Sequence, residues 1–274
     1  MMKLSSLTEI AIQAALDAGS IIQQYMDQDV PVAYKETGTS YAAQVVTEVD
    51  KAAETAILAH LLPTCQAFDF ALLSEETEDD GSRFEKEYFW CIDPLDGTLP
   101  FIQKRPGFSV SIALVAKDGT PLVGVICDPT TNTLYHAIKG KGAFKNQQVW
   151  NVQPVNDHLT YVTDRQLKDT PRAVEIEGFL QQKVADLGLQ SIKEMAGAGS
   201  VLNAIRVLEN GPACMLKFPK KEKGGGSLWD FAATACLFHA LGSTATNFEG
   251  GLLDLNRRDG TFMNHEGIFF AYGF

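Results

Sequence analysis

The sequence predicts a layered α/β protein in which helices pack on mixed or mainly antiparallel sheet. The chain has 274 residues, of which 45% are hydrophobic, and this suffices for a large core in one domain or in two close halves. Segments with helical apolar spacing alternate with short apolar strands in both halves. Between them, residues 108–144 alternate strand patterns with turn signals such as Asp118-Gly119, which is typical of antiparallel hairpins.

The first half begins with two predicted helices. Apolar residues at helical spacing predict a helix over 7–26. A polar stretch at 34–44 is typical of a loop, and a second helix is predicted from near Thr47 to the residue before Pro63. An acidic loop is predicted at 77–86. The predicted strands of this half are 71–73, 88–92, 108–115, 123–127 and 133–137.

The second half repeats the alternation of strands and helices. Strands are predicted at 161–163 and 214–218, and further strands at the end of the chain. The predicted helices are 173–187, 199–208 and 228–241, the last ending at Gly242. We expect the halves 1–149 and 150–274 to form one compact catalytic unit.

Charge and cysteine usage exclude several classes of function. The net charge of −11 disfavours binding to a nucleic acid polymer. The apolar runs are too short for a membrane span or a signal peptide, so we expect no membrane partner and a cytoplasmic protein. The five cysteines are scattered without a C-x-x-C pair, which is typical of reduced thiols.

Carboxylates occur where three predicted buried elements begin or end. Glu75 follows one strand, Asp93 and Asp96 follow the next, and Asp230 lies in the first turn of the last helix. Mg²⁺ prefers such oxygen ligands, so their convergence would create a metal site. Each also has a structural interpretation. Asp230 completes the capping box Ser227-x-x-Asp230, and the other carboxylates fit a plain turn or a solvated loop.

An ordered set of motifs resembles the inositol monophosphatase superfamily. The matching segments are, in chain order, Val46-Thr47-Glu48-Val49-Asp50, Ser74-Glu75-Glu76, Asp93-Pro94-Leu95-Asp96-Gly97-Thr98, Gly140-Lys141-Gly142-Ala143-Phe144 and Trp229-Asp230-x-Ala232-Ala233. The resemblance implies an alternating αβαβα sandwich of the inositol monophosphatase and fructose bisphosphatase type. It also implies a metal-dependent, typically lithium-sensitive phosphatase that forms a homodimer.

The same resemblance implies two or three Mg²⁺ ions. Glu75, Asp93 and the carbonyl oxygen of Leu95 would hold the first ion. Asp93, Asp96 and Asp230 would hold the second, so that Asp93 bridges the two. A third, weaker ion would depend on Glu75. Most metal ligands would thus come from the first half, and the second half would add Asp230 and the substrate-facing residues.

The resemblance also implies how water attacks the phosphate. Gly97 and Thr98 would offer backbone N–H groups to the phosphate, and Asp50 would hydrogen-bond Thr98. A metal-activated water would be the nucleophile, assisted by Asp50, Thr98 and Glu75.

The chain departs from the family pattern after the signature. Pro100 stands where Asn or Glu is usual, which removes a backbone donor near the phosphate unless it begins a helix as its first residue. A lysine-rich loop at 220–227 precedes Trp229. Lys220 in this loop, and Lys217 just before it, could contact a second phosphate of the substrate. Lysines in such a run more often form a solvated surface, and this second interpretation is favoured.

The substrate is expected to be 3′-phosphoadenosine 5′-phosphate or inositol monophosphate. Ser74, the segment 101–105 and Gly199-Ser200-x-Leu202 resemble the bisphosphate nucleotidase branch, which makes Gly199 and Ser200 candidate substrate residues. Pro100 argues against a simple assignment to that branch.

Two other classes of function stay open. Asp-x-Asp-Gly-Thr motifs mark aspartyl-phosphate phosphatases, although here two residues separate the aspartates and Glu75 and Asp230 would be surplus. The chain would otherwise be a catalytically silent protein that binds a phosphorylated ligand, against which the full carboxylate set argues.

Overall fold

The computed structural model describes residues 3–27, 41–164, 166–169, 171–221, 225–263 and 265–274. Its helices are α1 Leu4–Asp27, α2 Tyr41–Phe68, α3 Thr98–Ile102, α4 Ala173–Asp186, α5 Ser200–Glu209 and α6 Leu228–Ala240. Its strands are β1 Ala71–Ser74, β2 Tyr88–Asp96, β3 Ser109–Ala116, β4 Pro121–Asp128, β5 Thr133–Ile138, β6 Gly142–Lys145, β7 Gln148–Val149, β8 Leu159–Thr163, β9 Ile192–Ala196, β10 Ala213–Lys217, β11 Thr244–Thr246 and β12 Ile268–Tyr272.

The strands form two sheets. The first has seven strands in the order β1 to β7, antiparallel throughout except for the parallel pair β1 and β2. The second has five strands in the order β11-β12-β10-β8-β9, with β10, β8 and β9 parallel to one another. This mixture of short antiparallel and parallel strands matches the prediction for the sheets.

Helices cover both faces of each sheet. Helices α1 and α2 pack on one face of the seven-stranded sheet, and α6 packs on its other face beside α5. Helix α5 also contacts the five-stranded sheet, whose far face carries α4. The order of layers is therefore αβαβα, which confirms the predicted fold class. None of the described helices is long and apolar enough to cross a membrane.

The second helix is longer than predicted at both ends. Residues 41–44, expected in a loop, are helical, while 34–40 lie outside the described residues. The helix also continues through Pro63 to Phe68, so the predicted end before the proline is wrong. Packing explains the continuation, because the buried indole of Trp90 donates a hydrogen bond of 2.8 Å to Thr64 Oγ1 just beyond the proline.

Strand β2 does not stop at Ile92 as predicted but keeps pairing with β3 up to Asp96. Asp93 lies opposite Ser111 and Asp96 lies opposite Ser109, so three steps along β2 match two steps along β3. This register shift is a β-bulge, and it contains Pro94, a residue that sheets tolerate at such positions. The bulge decides the direction of the carboxylates that follow.

Candidate active site

The bulge in β2 brings two aspartates to one side of the sheet. In a regular strand, residues three apart face opposite sides, so Asp93 and Asp96 would diverge. With one extra residue between them, oxygens of both carboxylates lie within 4.8 Å of each other and of an oxygen of Asp230 from α6. Asp93 and Asp96 are only 1% and 6% exposed. The predicted carboxylates of β2 and α6 therefore converge.

Asp230 serves the helix and the cluster at once. Its Oδ2 accepts a hydrogen bond of 2.5 Å from the backbone N–H of Ser227, which completes the capping box expected from the sequence. An oxygen of the same carboxyl group lies within 4.8 Å of one from Asp96. Capping thus fixes the orientation that places Asp230 in the cluster, and the structural and functional interpretations are compatible.

Asp96 is held by the N-terminus of α5. Its Oδ1 and Oδ2 accept backbone hydrogen bonds of 3.0 Å from Ser200 and Val201. A Cβ added to Gly199 would lie 2.2 Å from Asp96 Oδ2, so only glycine permits this approach. Gly199 and Ser200, predicted as substrate residues, are thus the residues that position Asp96. Contact with substrate stays a prediction for both.

Glu75 is the residue after β1, and its exposed side chain lies at the solvent side of the cluster. Because β1 pairs with β2 in parallel, and the backbone N–H of Glu75 donates to the carbonyl oxygen of Ile92 at 3.2 Å, Glu75 lies near Asp93. Although the side chain is exposed, the protein around its carboxylate raises the pKa of Glu75, and repulsion from Asp230 raises it further, to about 7. Glu75 therefore lies beside the cluster of three, as the predicted first metal site requires.

Asp50 lies in the interior of α2. The residue is buried. Burial, followed by the negative charges of Glu76 and Glu75, raises the pKa of Asp50 to about 8. No hydrogen bond joins Asp50 to the exposed Thr98 among the described residues, and their predicted coupling stays a prediction.

The signature ends in a tight turn that starts α3. Gly97 has a φ of 89°, and a Cβ there would lie 2.5 Å from the carbonyl oxygen of Gly107, so both conformation and space require glycine. Helix α3 begins at Thr98, which makes Pro100 its third residue and not its first. Thr98 and Leu99 keep first-turn N–H groups without partners inside the helix, whereas Pro100 has none.

A partly buried lysine faces the acidic cluster, and its partner carries no signal in the sequence. Lys217 Nζ lies 2.8 Å from Asp164 Oδ2 and donates a hydrogen bond of 2.9 Å to Ser200 Oγ. Burial alone lowers the pKa of the ammonium group, but the charges of Asp164 and Asp230 outweigh burial and the net shift is upward. Asp164 follows β8 without any local motif, so no sequence signal could have identified it.

The cluster fits a divalent cation. Burial, followed by the neighbouring carboxylates, raises the pKa of Asp93 well above its ordinary value, and the pKa of Asp96 is raised for the same reasons. Three close carboxylates repel one another unless they bind protons or a cation. The donors are all oxygens, the ligand type that hard cations such as Mg²⁺ prefer. Among the residues that the structure describes, Asp93, Asp96 and Asp230 are therefore the ones placed to hold a metal.

Two other predicted site residues show no such convergence. Leu95 is buried in the bulge, with its backbone N–H donating to Asp93 Oδ1 at 3.0 Å, and ligation by its carbonyl oxygen stays a prediction. Lys220 is exposed, and a substrate contact also stays a prediction. Lys223, in the same predicted loop, lies outside the described residues.

Comparisons with known proteins agree with this geometry. Residues 3–270 match the inositol monophosphatase family. The 3′(2′),5′-bisphosphate nucleotidase CysQ of Salmonella typhimurium is 31% identical over 94% of this chain and 97% of its own. The Nus factor SuhB of Pasteurella multocida is 35% identical over 90% of this chain and 87% of its own. The crystal structure of CysQ from Bacteroides thetaiotaomicron is 26% identical with a TM-score of 0.78, covering 97% of each chain. The bulge, the carboxylate cluster and the matched length lead to one conclusion: the chain belongs to the inositol monophosphatase family.

Proposed function

We propose that the protein is a Mg²⁺-dependent phosphomonoesterase that acts on a small phosphorylated metabolite. The observation that carries the proposal is the convergence of Asp93, Asp96 and Asp230, from two elements distant in sequence, within 4.8 Å. Family membership supports phosphatase chemistry. Lithium inhibition, a homodimeric state and a cytoplasmic location belong to the proposal through the family resemblance alone.

The chain's own residues supply a cluster of carboxylate ligands. When bound, divalent cations would supply Lewis-acid charge that polarises a phosphoryl oxygen and makes water more acidic. Asp93, Asp96 and Asp230 would hold one ion, and Glu75 with Asp93 and the Leu95 carbonyl would hold another. The backbone N–H groups at Gly97 and Thr98 would bind the phosphate.

Proton transfer is assigned to two carboxyl groups beside the cluster. The pKa of Glu75 is raised to about 7, and that of Asp50 to about 8, in part by the negative charge of Glu75. A group with a pKa near the working pH is well suited to accept a proton from attacking water. We assign this role to Glu75 and Asp50, acting together with the Thr98 hydroxyl.

The substrate is proposed to be 3′-phosphoadenosine 5′-phosphate or inositol monophosphate. Support for the first comes from the similarity to CysQ, named as a bisphosphate nucleotidase. Support for the second comes from the family to which the chain belongs.

Phosphate release from a panel of esters tests the proposal. Purified protein is given 3′-phosphoadenosine 5′-phosphate, inositol 1-phosphate or fructose 1,6-bisphosphate with Mg²⁺, with Mg²⁺ and Li⁺, or with a chelator. We expect release that requires Mg²⁺ and is inhibited by Li⁺. Asp93→Asn is expected to lower kcat at least about 100-fold, since it weakens metal binding and charge stabilisation together. Release that persists in the chelator would refute the mechanism.

Two further outcomes separate the alternative functions. Rapid acid quench with labelled substrate traps an acyl-phosphate only if an aspartate is the nucleophile. Tight binding of the ester without release, in a protein that also binds Mg²⁺, would instead indicate a catalytically silent binding protein.

A further inference from the structure

Two serines of β3 lie directly opposite the aspartates of β2. Ser111 pairs with Asp93 and Ser109 pairs with Asp96, one on each side of the bulge. Residues directly opposite each other in neighbouring strands carry their side chains on the same face of a sheet. Two hydroxyl groups therefore lie next to the carboxylates of β2.

The hydrogen bond of Ser111 shows which layer this face meets. Its Oγ donates to the carbonyl oxygen of Trp229, in the first turn of α6, at 3.1 Å. Trp229 immediately precedes Asp230, so the Ser111 side chain faces the helix that supplies the third carboxylate of the cluster. Side chains two positions apart on a strand face the same side. Ser109 therefore faces the same layer, beside Asp96.

The hydroxyl group of Ser109 has no partner among the described residues. The side chain is fully buried, at 0% exposure, and no group of the described chain forms a hydrogen bond with its Oγ. The oxygens of Asp96, opposite, accept from the backbone of Ser200 and Val201 instead. A buried hydroxyl without a partner destabilises the folded state, because it gives up its hydrogen bonds to water. Alanine would fill nearly the same space without this cost, so the hydroxyl group indicates a ligand.

A cation in the cluster would bring such a ligand. Mg²⁺ prefers an octahedral set of oxygen ligands and usually keeps several waters. Asp93, Asp96 and Asp230 each offer one oxygen to a common ion. Water ligands fill positions that the carboxylates leave open, and each of these waters has hydrogens to donate. A serine oxygen with free lone pairs is a suitable acceptor for one of them.

We propose that Ser109 is a positioning residue of the metal site, whose Oγ accepts a hydrogen bond from a water ligand of the cation bound by the carboxylate cluster. The inference rests on the proposed metal-dependent function and extends the site to a residue beyond its carboxylates. Groups that orient the ligands of a metal raise its affinity without contacting it. Ser111 is excluded from the same role because its hydroxyl already holds the backbone of Trp229.

The test removes the hydroxyl group and measures two quantities. In Ser109→Ala, titration calorimetry gives the dissociation constant of Mg²⁺, and denaturant unfolding of the metal-free protein gives the midpoint concentration. Ser243→Ala is the matched control, since it makes the same change at another buried Oγ that has no partner among the described residues. Ser243 follows the far end of α6, and the span from Asp230 to Ala240 rises about 15 Å.

We expect Ser109→Ala to weaken Mg²⁺ binding about tenfold, as the loss of a group that orients metal ligands does. The midpoint of the metal-free variant should equal or exceed that of the wild type, because a hydroxyl without a partner is no longer buried. Ser243→Ala should keep the wild-type affinity. A purely structural role for Ser109 gives the opposite pattern, a lower midpoint with Mg²⁺ affinity unchanged.

The outcomes separate this inference from the proposed function. If Ser109→Ala binds Mg²⁺ as tightly as the wild type, the inference is overturned and the proposed function stands. A metal-free Ser109→Ala that unfolds at a lower denaturant concentration, or fails to fold, also overturns it, because the hydroxyl then serves the fold. A wild type that binds no Mg²⁺ refutes the proposed function itself, and the inference with it.

Discussion

Asp96 depends on a glycine for its place in the site. The carboxylate touches the backbone of residue 199, and the N-terminus of α5 holds both of its oxygens. These two hydrogen bonds favour the ionised form of Asp96 through the helix dipole, and they fix the direction in which its oxygens face a metal. The sequence suggested only a substrate role for Gly199. Its contact with Asp96 could not be predicted, because the two residues lie about a hundred positions apart in the chain.

Gly199→Ala is expected to displace Asp96 and to abolish most activity. The added Cβ would lie 2.2 Å from Asp96 Oδ2, and because the contact is fixed on both sides the carboxylate must move. We expect Mg²⁺ affinity to fall about 10-fold or more, since carboxylate ligands and their supports have effects of that size. Isothermal titration with Mg²⁺ measures it, and wild-type affinity would contradict this account.

Gly178→Ala is the matched control. Gly178 lies in the exposed interior of α4, and a Cβ there meets no atom within 4 Å. Alanine should raise the free energy of unfolding by about 0.5–1 kcal/mol, because glycine loses more backbone entropy in a helix. Denaturant unfolding measures this gain. A destabilised Gly178→Ala would show that glycine replacement in this protein has effects beyond the contacts described.

The positive charge of Lys217 partly offsets the negative charge of the carboxylate cluster. Its ammonium group lowers the pKa values of Asp96 and Asp230 but also repels a bound metal. We expect Lys217→Met to bind Mg²⁺ about 3- to 10-fold more tightly, since two like charges in a partly buried site repel by a few kcal/mol before screening. Calorimetry tests this against Lys139→Met, which removes an exposed lysine just after β5 as the control for loss of one positive charge. Weaker binding would mean that Lys217 acts mainly by holding Ser200 and Asp164 in place.

At the scale of an element, two residues at the N-terminus of α6 have different roles, one in helix stability and one also in metal binding. Ser227 is 5% exposed and caps the helix, whereas Asp230 contributes both to the cap and to the cluster. Ser227→Ala should lower the free energy of unfolding by about 1 kcal/mol and change Mg²⁺ affinity little.

Asp230→Asn should lower Mg²⁺ affinity and change the free energy of unfolding little. An amide oxygen can still accept the backbone hydrogen bond, whereas the negative charge that binds the cation is lost. Denaturant unfolding and Mg²⁺ titration on both variants give the comparison. If Ser227→Ala removes metal binding as fully as Asp230→Asn, the cap and the cluster are not separable.

Element types followed from sequence wherever the apolar pattern was strong. Helices α4, α5 and α6 begin within about a residue of their predicted starts, because their apolar faces repeat at helical spacing. The bulge in β2 could not be predicted, since it exists only in the register between β2 and β3. The path of α2 through Pro63 was missed for a related reason. Local preference ends a helix there, and packing against Trp90 overrides it.

At the scale of the whole molecule, the site is assembled by topology. The sheet order places β1 and β2 side by side and parallel, so Glu75 and Asp93 leave the sheet at the same edge. Layer packing then sets α5 and α6 against the other face, which brings Gly199 and Asp230 to that edge. The sequence motifs identified the carboxylates, but the pairing of Lys217 with Asp164 required this packing to be seen.

The same packing buries more negative charge than the metal-free protein tolerates at neutral pH. The pKa of Asp50 rises from 3.8 to about 8 and that of Glu75 from 4.5 to about 7, so the folded state binds protons more tightly than the unfolded chain. Groups with raised pKa values contribute stability that is fully present below the unfolded pKa, near 4, and is lost as the pH rises towards the folded pKa. The metal-free protein should therefore lose stability between pH 5 and pH 8.

Differential scanning calorimetry in chelator at pH 5, 6.5 and 8 tests this dependence. We expect Tm to fall with rising pH by at least about 2 °C, which corresponds to about 1 kcal/mol in a chain of this size. Added Mg²⁺ should raise Tm more at pH 8 than at pH 5, because a cation favours the ionised carboxylates that protons otherwise neutralise. Asp50→Asn, which keeps the shape without the charge, should flatten the fall. A Tm that rises with pH in chelator would show that cations of the folded chain itself neutralise the buried acidic groups, as Lys217 does in part for Asp96 and Asp230.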